Sequence, residues 1–264
     1  MKVEVFGRTD VGCVRPHNED CFLVADLTDR CALRQSLVLE RKVGECGFLL
    51  VVADGMGGMA AGEVASGMAT DAIYSHLMEA SLQRASEPRP FAERLRKALE
   101  TANDDIHDYA LSRPELRGMG TTATAAGLLG DSVYVAHVGD SRAYLVRGGR
   151  IRQLTQDQSL VPRRLETGGP TAWDAPQSTQ GHVILQALGP ATQVSVAMTR
   201  QRIQKADALV LCSDGLSNVV SSGEIARVLS AEPRISAACG RLIDLANESG
   251  AADNITVVLA RVSR

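Results

Sequence analysis

Five acidic positions lie beside apolar runs of the sequence. One apolar run ends at Asp54, and a second, 160 positions later, ends at Asp214. Asp253 stands immediately before the last apolar run, the pair Glu19-Asp20 immediately before an early one, and Asp140 in the turn between two others. If these runs are neighbouring strands, the carboxylates meet in partly desolvated positions. There they repel one another and need cations or protons to stay together.

The chemistry of these side chains predicts which cation they would hold. A cluster with oxygen ligands only selects hard cations such as Mg²⁺ or Mn²⁺. No histidine or cysteine spacing of the zinc type accompanies the aspartates. The alternative is that Asp-Gly and Asp-Asn pairs form turns, which makes an aspartate at one strand end common. Turn formation explains one such aspartate well, but it explains acids at all five places poorly. We therefore predict a metal centre.

Glycines follow the first aspartate closely. The segment Asp54-Gly55-Met56-Gly57-Gly58 has three glycines in four positions after an apolar run. Glycine allows positive φ angles and lets the backbone approach a ligand closely. The Gly55 carbonyl could therefore serve as a neutral oxygen ligand beside Asp54. The alternative is a flexible turn without a ligand.

Short strands dominate the predicted secondary structure, and the helices fall in pairs. Apolar runs predict strands at 47–53, 131–138, 142–147, 207–213 and 254–262, the second and third forming a hairpin. Helical periodicity covers 62–80, 90–112, 222–231 and 234–248. This grouping indicates stacked antiparallel sheets flanked by helices. We expect an irregular polar insertion at 27–46 and a flap at 156–182.

Size and charge exclude several classes of protein. The 264 residues are enough for one large domain, residues 1–264, and the net charge of -3 argues against nucleic-acid binding. The six cysteines form no C-x-x-C pair, which predicts reduced thiols. No signal-peptide pattern and no run of 18 apolar residues occurs. We therefore expect no membrane span and a cytoplasmic location.

The motifs together resemble those of one family, the metal-dependent protein phosphatases, in the form of bacterial type 2C protein serine/threonine phosphatases. The resemblance covers essentially the whole chain in order. It rests on residues 15–20 (Arg-Pro-His-Asn-Glu-Asp), 52–58, 118–122 (Gly-Met-Gly-Thr-Thr), 138–143, 154–157, 212–216 and 253–256 (Asp-Asn-Ile-Thr).

The resemblance implies a fold and a reaction. The fold is of the α+β class, a four-layer α/β/β/α sandwich with a two-metal centre at one edge. The activity is hydrolysis of phosphoserine and phosphothreonine on proteins, by attack of a metal-bridging water or hydroxide at a binuclear Mg²⁺ or Mn²⁺ centre. Two tight metal sites and a third, weaker one are expected. The expected partners are phosphorylated proteins, a serine/threonine kinase and its substrates, with the enzyme as a monomer.

The resemblance also assigns roles to residues. Asp54 would bridge both metals, and Gly55 would offer its carbonyl to one of them. Asp214 and Asp253 would bind the other metal. Glu19 and Asp20 would hold metal-bound waters, Asp140 with Asp214 would form the weaker site, and Arg15 would bind the substrate phosphate.

Three departures from the family leave the proton donor open. Met56, Met59 and Gln158 stand where relatives often have histidine. The donor to the leaving group is then His17, which lies between Arg15 and Asp20, or a metal-bound water. Two other functions stay open from the sequence. One is a phosphoprotein-binding pseudo-enzyme, and the other is an esterase for small phosphorylated metabolites. Among phosphatases, a kinase-partner role is favoured over action on anti-anti-sigma regulators.

Overall fold

Two antiparallel sheets form the centre of the structure, a computed structural model that describes residues 1–57, 61–82, 91–159 and 183–263. The strands are β1 (Lys2–Asp10), β2 (Asp20–Asp26), β3 (Cys31–Leu33), β4 (Leu39–Lys42), β5 (Phe48–Met56), β6 (Gly120–Thr121), β7 (Ala123–Leu129), β8 (Ser132–Val138), β9 (Arg142–Arg147), β10 (Arg150–Gln153), β11 (Ala197–Arg202), β12 (Ala208–Cys212) and β13 (Ile255–Ser263). One sheet has the order β10-β9-β12-β13-β1-β4. The other has the order β11-β8-β7-β5-β2-β3, with β6 paired to β5.

Helices cover the outer face of each sheet. They are α1 (Ala61–Leu82), α2 (Phe91–Leu111), α3 (Asp214–Ser217), α4 (Ser222–Ala231) and α5 (Ile235–Glu248), with a 3-10 turn at Pro114–Leu116. One apolar core joins α1 and α2 to the β5 sheet, a second lies between the sheets, and a third joins α4 and α5 to the β13 sheet. These three cores separate four layers, which confirms the predicted α/β/β/α sandwich. The predicted helix limits differ from the observed ones by two residues or fewer.

The predicted hairpin of residues 131–147 is wrong. β8 pairs with β7 and β11, whereas β9 pairs with β10 and β12 in the other sheet. Residues 139–141 therefore carry the chain from one sheet to the other. Gly139 makes this crossing with φ +109, and a Cβ there would lie 2.6 Å from Cγ2 of Thr122. A short polar turn between two apolar runs fits a hairpin and a sheet change equally well, so the sequence pattern alone does not separate them.

The expectation of an irregular insertion at 27–46 is also corrected. This stretch contains β3, which pairs with β2, and β4, which pairs with β1. Their side chains are mostly exposed or half-buried, so the apolar alternation that marks a strand is missing. Of the expected flap, residues 160–182 lie outside the described residues. Just before and after that range, Ser159 and Ile184 form an isolated β-bridge.

Two simpler expectations concern cysteines and membrane spans. The six cysteines are free thiols, and Cys212 and Cys239 are buried. Within the described ranges, none of the helices combines the length and apolarity that a bilayer crossing requires.

His137 is a titratable group buried in β8. Its side chain is 1% exposed, and Nδ1 lies 2.9 Å from the Thr124 hydroxyl on the neighbouring strand. Burial lowers the pKa of His137 to about 4, outweighing the opposing effect of the Asp157 charge. In the unfolded chain the imidazole has its usual pKa near 6.5. Between these values the unfolded state binds the proton and the folded state does not.

We therefore expect stability to fall as the pH is lowered from 6.5 to 4. The His137 contribution is about 3 kcal/mol at pH 4, from the difference between the two pKa values. In His137→Asn the amide can keep the bond to Thr124 but cannot titrate. The measurement is the free energy of unfolding by urea at several pH values for both proteins. Parallel pH profiles would show that His137 is not protonated on unfolding.

Candidate metal centre

Strand pairing places two of the predicted carboxylates opposite each other. In the antiparallel pair β2–β5, Asp20 is directly opposite Asp54. Asp214 begins α3 immediately after β12, and Asp253 directly precedes Asn254 at the start of β13. β12 and β13 are paired, so both ends lie at the same margin of their sheet. The strand ends thus bring the predicted acids to one edge of the sandwich.

The electrostatics shows that these carboxylates are close neighbours. Burial raises the pKa of Asp54 well above its ordinary value, and the charges of Asp20, Asp214, Asp253 and Asp140 raise it further. Burial is also the main cause that raises the pKa of Asp20 to about 8, with additions from Asp214 and Asp253. Fixed so close together, the groups favour protons or cations between them.

Asp140 joins the same cluster from the segment that crosses between the two sheets. It is 7% exposed, and its pKa rises to about 6 through burial and then through the charges of Asp214 and Asp157. The crossing at Gly139 therefore brings Asp140 within reach of the Asp214 charge.

The donors fit a hard divalent cation. The cluster offers carboxylate oxygens, and among the described residues Oδ1 of Asp20 and Oδ1 of Asp140 are buried without a hydrogen-bond partner. A buried acceptor in that state is costly unless something binds it. No three acidic, histidine or cysteine groups in the described ranges converge on one point at metal distances. The fit to a divalent cation therefore rests on the oxygen donors of these carboxylates, on their burial and on the repulsion between their charges.

Gly55 lies in a crowded part of the backbone. Its N–H donates to the Glu19 carbonyl at 3.2 Å, and a Cβ on Gly55 would collide with the carbonyl oxygens of Gly62 and Glu19. Ser66 donates to the same Glu19 carbonyl at 2.6 Å. A side chain at position 55 would push β5 away from these groups, so glycine keeps the backbone after Asp54 close to Glu19 and the start of α1.

Ser213 is a buried residue of the centre that the sequence did not single out. Its hydroxyl donates to Oδ2 of Asp20 at 2.7 Å and accepts from the Thr256 N–H at 2.9 Å. It precedes α3, yet its side chain does not cap that helix. Ser213 thus ties Asp20 in one sheet to β13 in the other. The one sequence feature that could have indicated its role is its position directly before Asp214.

Asn254 was also missed and positions the loop that precedes β2. Its Nδ2 donates to the carbonyls of Val11 and His17, both at 2.9 Å. Its Oδ1 accepts from the Glu19 N–H at 2.9 Å. The amide of Asn254 therefore fixes the loop of residues 11–19 against the segment that contains Asp253.

Arg15 lies on this loop at the rim of the cluster. Its Nη2 is 2.7 Å from Oδ2 of Asp253, and the guanidinium side chain is half-exposed. The bond to Asp253 raises the arginine pKa, with smaller contributions from the charges of Glu19 and Asp54. His17 is exposed, and it is held near the cluster through its carbonyl. Both residues therefore lie beside the acids.

Thr121 and Thr122 hold the backbone of Asp54 from the opposite side. The Thr122 hydroxyl accepts from the Asp54 N–H at 3.1 Å, and the Thr122 N–H donates to the Asp54 carbonyl at 2.9 Å. The Thr121 hydroxyl donates to the same carbonyl at 2.9 Å. Thr122 also bonds the hydroxyl of Ser141 at 2.7 Å. Because Ser141 follows Asp140, Thr122 links two of the predicted ligands.

Gln158 supports the same crossing turn. Its Oε1 accepts from the Gly139 N–H at 2.9 Å, and its own N–H donates to the Gly139 carbonyl at 2.7 Å. The preceding residue, Asp157, binds Arg142 at 2.6 Å after the turn. These contacts fix both sides of Asp140.

Desolvated carboxylates that repel one another are suited to holding divalent cations, and the neighbouring arginine can receive an anionic group. The class of protein is a metal-dependent hydrolase of phosphate esters. Residues 38–259 match the family described as protein phosphatase 2C, and the chain belongs to that family.

Relatives that are similar to this chain in sequence and in structure are phosphatases. The chain is 39% identical over 253 residues to a serine/threonine phosphatase, stp, of Listeria monocytogenes, covering 96% of this chain and 93% of the relative. It resembles the solved structure of the serine/threonine phosphatase Stp1 from Staphylococcus aureus with a TM-score of 0.84 and 33% identity, over 98% and 95% of the two chains. The catalytic domain of the protein phosphatase PstP, solved with two manganese ions, has a TM-score of 0.79 and 34% identity over 100% of both chains.

We expect Thr122→Val to weaken Mn²⁺ binding and to lower kcat by about tenfold or more. It removes the acceptor of a buried Asp54 N–H, a loss of about 1–3 kcal/mol, and about 1.4 kcal/mol corresponds to tenfold. Calorimetric titration with Mn²⁺ and steady-state kinetics measure both effects. Thr122→Ser keeps the hydroxyl and should restore them. If Thr122→Val binds Mn²⁺ and turns over like the parent, Asp54 does not depend on this bond.

Proposed function

We propose that this protein hydrolyses phosphoserine and phosphothreonine in other proteins, using two divalent cations held by aspartates. The observation that carries the proposal is the cluster of buried and half-buried carboxylates, in which burial and then the neighbouring charges raise the pKa of Asp54. Support comes from relatives named as serine/threonine phosphatases and from the similar structure solved with two manganese ions.

The residues divide among the cation sites as follows. Asp54, the Gly55 carbonyl, Asp214 and Asp253 would hold the two tightly bound cations. Glu19 and Asp20 would orient solvent around these cations, and Asp140 with Asp214 would hold a third, weaker one. When bound, such a pair of cations lowers the pKa of water and screens phosphate charge.

Arg15 takes the substrate phosphate in this proposal. Its guanidinium lies at the rim, half-exposed, on a loop fixed by Asn254. A planar guanidinium can donate two parallel hydrogen bonds to phosphate oxygens. Arg15 thereby orients the phosphorus towards the carboxylate cluster.

The leaving alkoxide needs a proton, and two donors remain in the proposal. His17 follows Arg15 by two residues and is exposed beside the cluster. Water in the site is the other donor. Met56 supplies no proton at a position where relatives often have histidine.

The biological role in this proposal is to oppose a serine/threonine kinase. The enzyme acts as a monomer in the cytoplasm on phosphoproteins, and that kinase is among its partners. The support is the naming of relatives as serine/threonine phosphatases of bacteria.

The proposal is tested by hydrolysis of a phosphothreonine peptide with and without Mn²⁺. We expect chelation to abolish turnover and Asp54→Asn to lower kcat by about two orders of magnitude or more, because it removes electrostatic stabilisation of the transition state. Asp140→Asn should keep both tight Mn²⁺ sites in calorimetry while turnover falls. Full activity in chelator-washed, metal-free enzyme would overturn the mechanism, and loss of tight Mn²⁺ in Asp140→Asn would overturn that assignment.

The proton donor is tested by comparing two leaving groups. An alkoxide needs a proton as it departs, whereas nitrophenolate needs little help. If His17 is the donor, His17→Ala lowers the rate on the phosphothreonine peptide far more than on nitrophenyl phosphate. The acidic group then also vanishes from the pH profile of the peptide reaction. Small, equal effects on both substrates would assign the role to water.

A further inference from the structure

Two edge strands from different sheets lie side by side at one margin of the sandwich. β10 is outermost in one sheet and β11 in the other. Nη2 of Arg147 donates to the carbonyl of Arg202 at 2.9 Å, and Arg152 hydrogen-bonds Gln201. We call the surface formed by residues 147–153 and 197–205 the basic edge.

Cationic side chains dominate the basic edge, although the chain as a whole has a net charge of -3. The six cationic residues are Arg147, Arg150, Arg152, Arg200, Arg202 and Lys205. Among the described residues, two carboxylates contact them: Asp207 lies 2.6 Å from Arg147, and Asp131 lies 2.7 Å from Arg202. Positive charge is thus concentrated here and only partly balanced.

The arginines of the basic edge are accessible, and one is held in place. Arg150, Arg152 and Arg200 are exposed. Arg200 lies 5.4 Å from the ring centroid of Tyr134 and donates to the Ser132 hydroxyl at 3.2 Å. A guanidinium fixed in this way loses little further freedom when it binds an anion.

The basic edge lies further along the sheet that leads away from the metal centre. β9 starts two residues after Asp140, and β10 returns beside it with Arg152 opposite Leu145 and Arg150 opposite Arg147. At about 3.3 Å per strand residue, these arginines lie roughly 17–23 Å along the sheet from Asp140. An extended peptide with its phosphate in the site would reach them about five to seven residues away.

Protection against edge-to-edge pairing also places charges on edge strands. Charge of either sign serves that purpose. At the opposite edge of the same sheet, β4 has Glu40 beside Arg41 and Lys42, and Glu40 pairs with Lys2. The concentration of one sign on β10 and β11 is therefore not required by edge protection.

We propose that the basic edge binds acidic residues that flank the phosphorylated residue of a protein substrate. This inference rests on the proposed function and adds a substrate class to it: phosphoproteins with acidic side chains about five to seven positions from the phosphoserine or phosphothreonine. Opposite charges on the two surfaces strengthen the encounter complex and are screened by salt.

The test uses phosphothreonine peptides that differ only in three positions, five to seven residues before or after the phosphothreonine, occupied by Glu or by Gln. For the parent enzyme we expect kcat/KM to be about tenfold higher for one Glu peptide at low salt, as a few exposed charge pairs would give. The preference should come from KM and shrink at 0.5 M salt. In the double variant Arg150→Glu, Arg152→Glu it should vanish, while rates on the Gln peptide and on nitrophenyl phosphate stay unchanged.

The matched control is the double variant Arg41→Glu, Lys42→Glu at the opposite edge, which changes the net charge equally. It should retain the preference. Absence of a preference in the parent, its persistence in the Arg150→Glu, Arg152→Glu variant or its equal loss in the control overturns the inference. Hydrolysis of the Gln peptide by the parent separates this failure from failure of the proposed function, in which neither peptide is hydrolysed.

Discussion

Repulsion among buried carboxylates is the constraint on which the arrangement of this protein depends. Asp20 and Asp54 face each other across a strand pair, and Asp140, Asp214 and Asp253 raise the cost of charging Asp54 further. Such groups would separate unless their backbones were fixed. The sandwich fixes them by ending strands of both sheets at one edge, and hydroxyl and amide side chains then join those strand ends.

The sequence predicted the acids and most elements because both leave local signals. An apolar run that ends in aspartate is visible within ten residues, and so is the periodicity of α2 or α4. The error at residues 131–147 has a different origin: whether two runs pair with each other depends on distant partners such as β11 and β12. The strands within 27–46 were missed because their side chains are not alternately buried.

The residues that support the site were harder to predict than the ligands. Ser213, Asn254 and Thr122 are small polar residues of types that are frequent in turns. Their roles come from contacts across 19 to 243 positions of the chain. They lie within the motifs on which the resemblance to the phosphatase family rests, so the sequence did mark these positions. Their supporting role depends on hydrogen bonds that exist only in the folded protein.

The pairing of β1 with β13 has a consequence for the order of events during synthesis. These strands align from Lys2 opposite Ser263 to Asp10 opposite Ile255. β1 therefore cannot form this pairing until β13 has been synthesised. Translation delivers Asp20 and Asp54 roughly two hundred residues before Asp253, and contacts so distant in the chain form slowly. A nascent chain that has not reached residue 253 cannot assemble the centre. The complete cluster of acids therefore forms only when nearly all of the described strands have been synthesised.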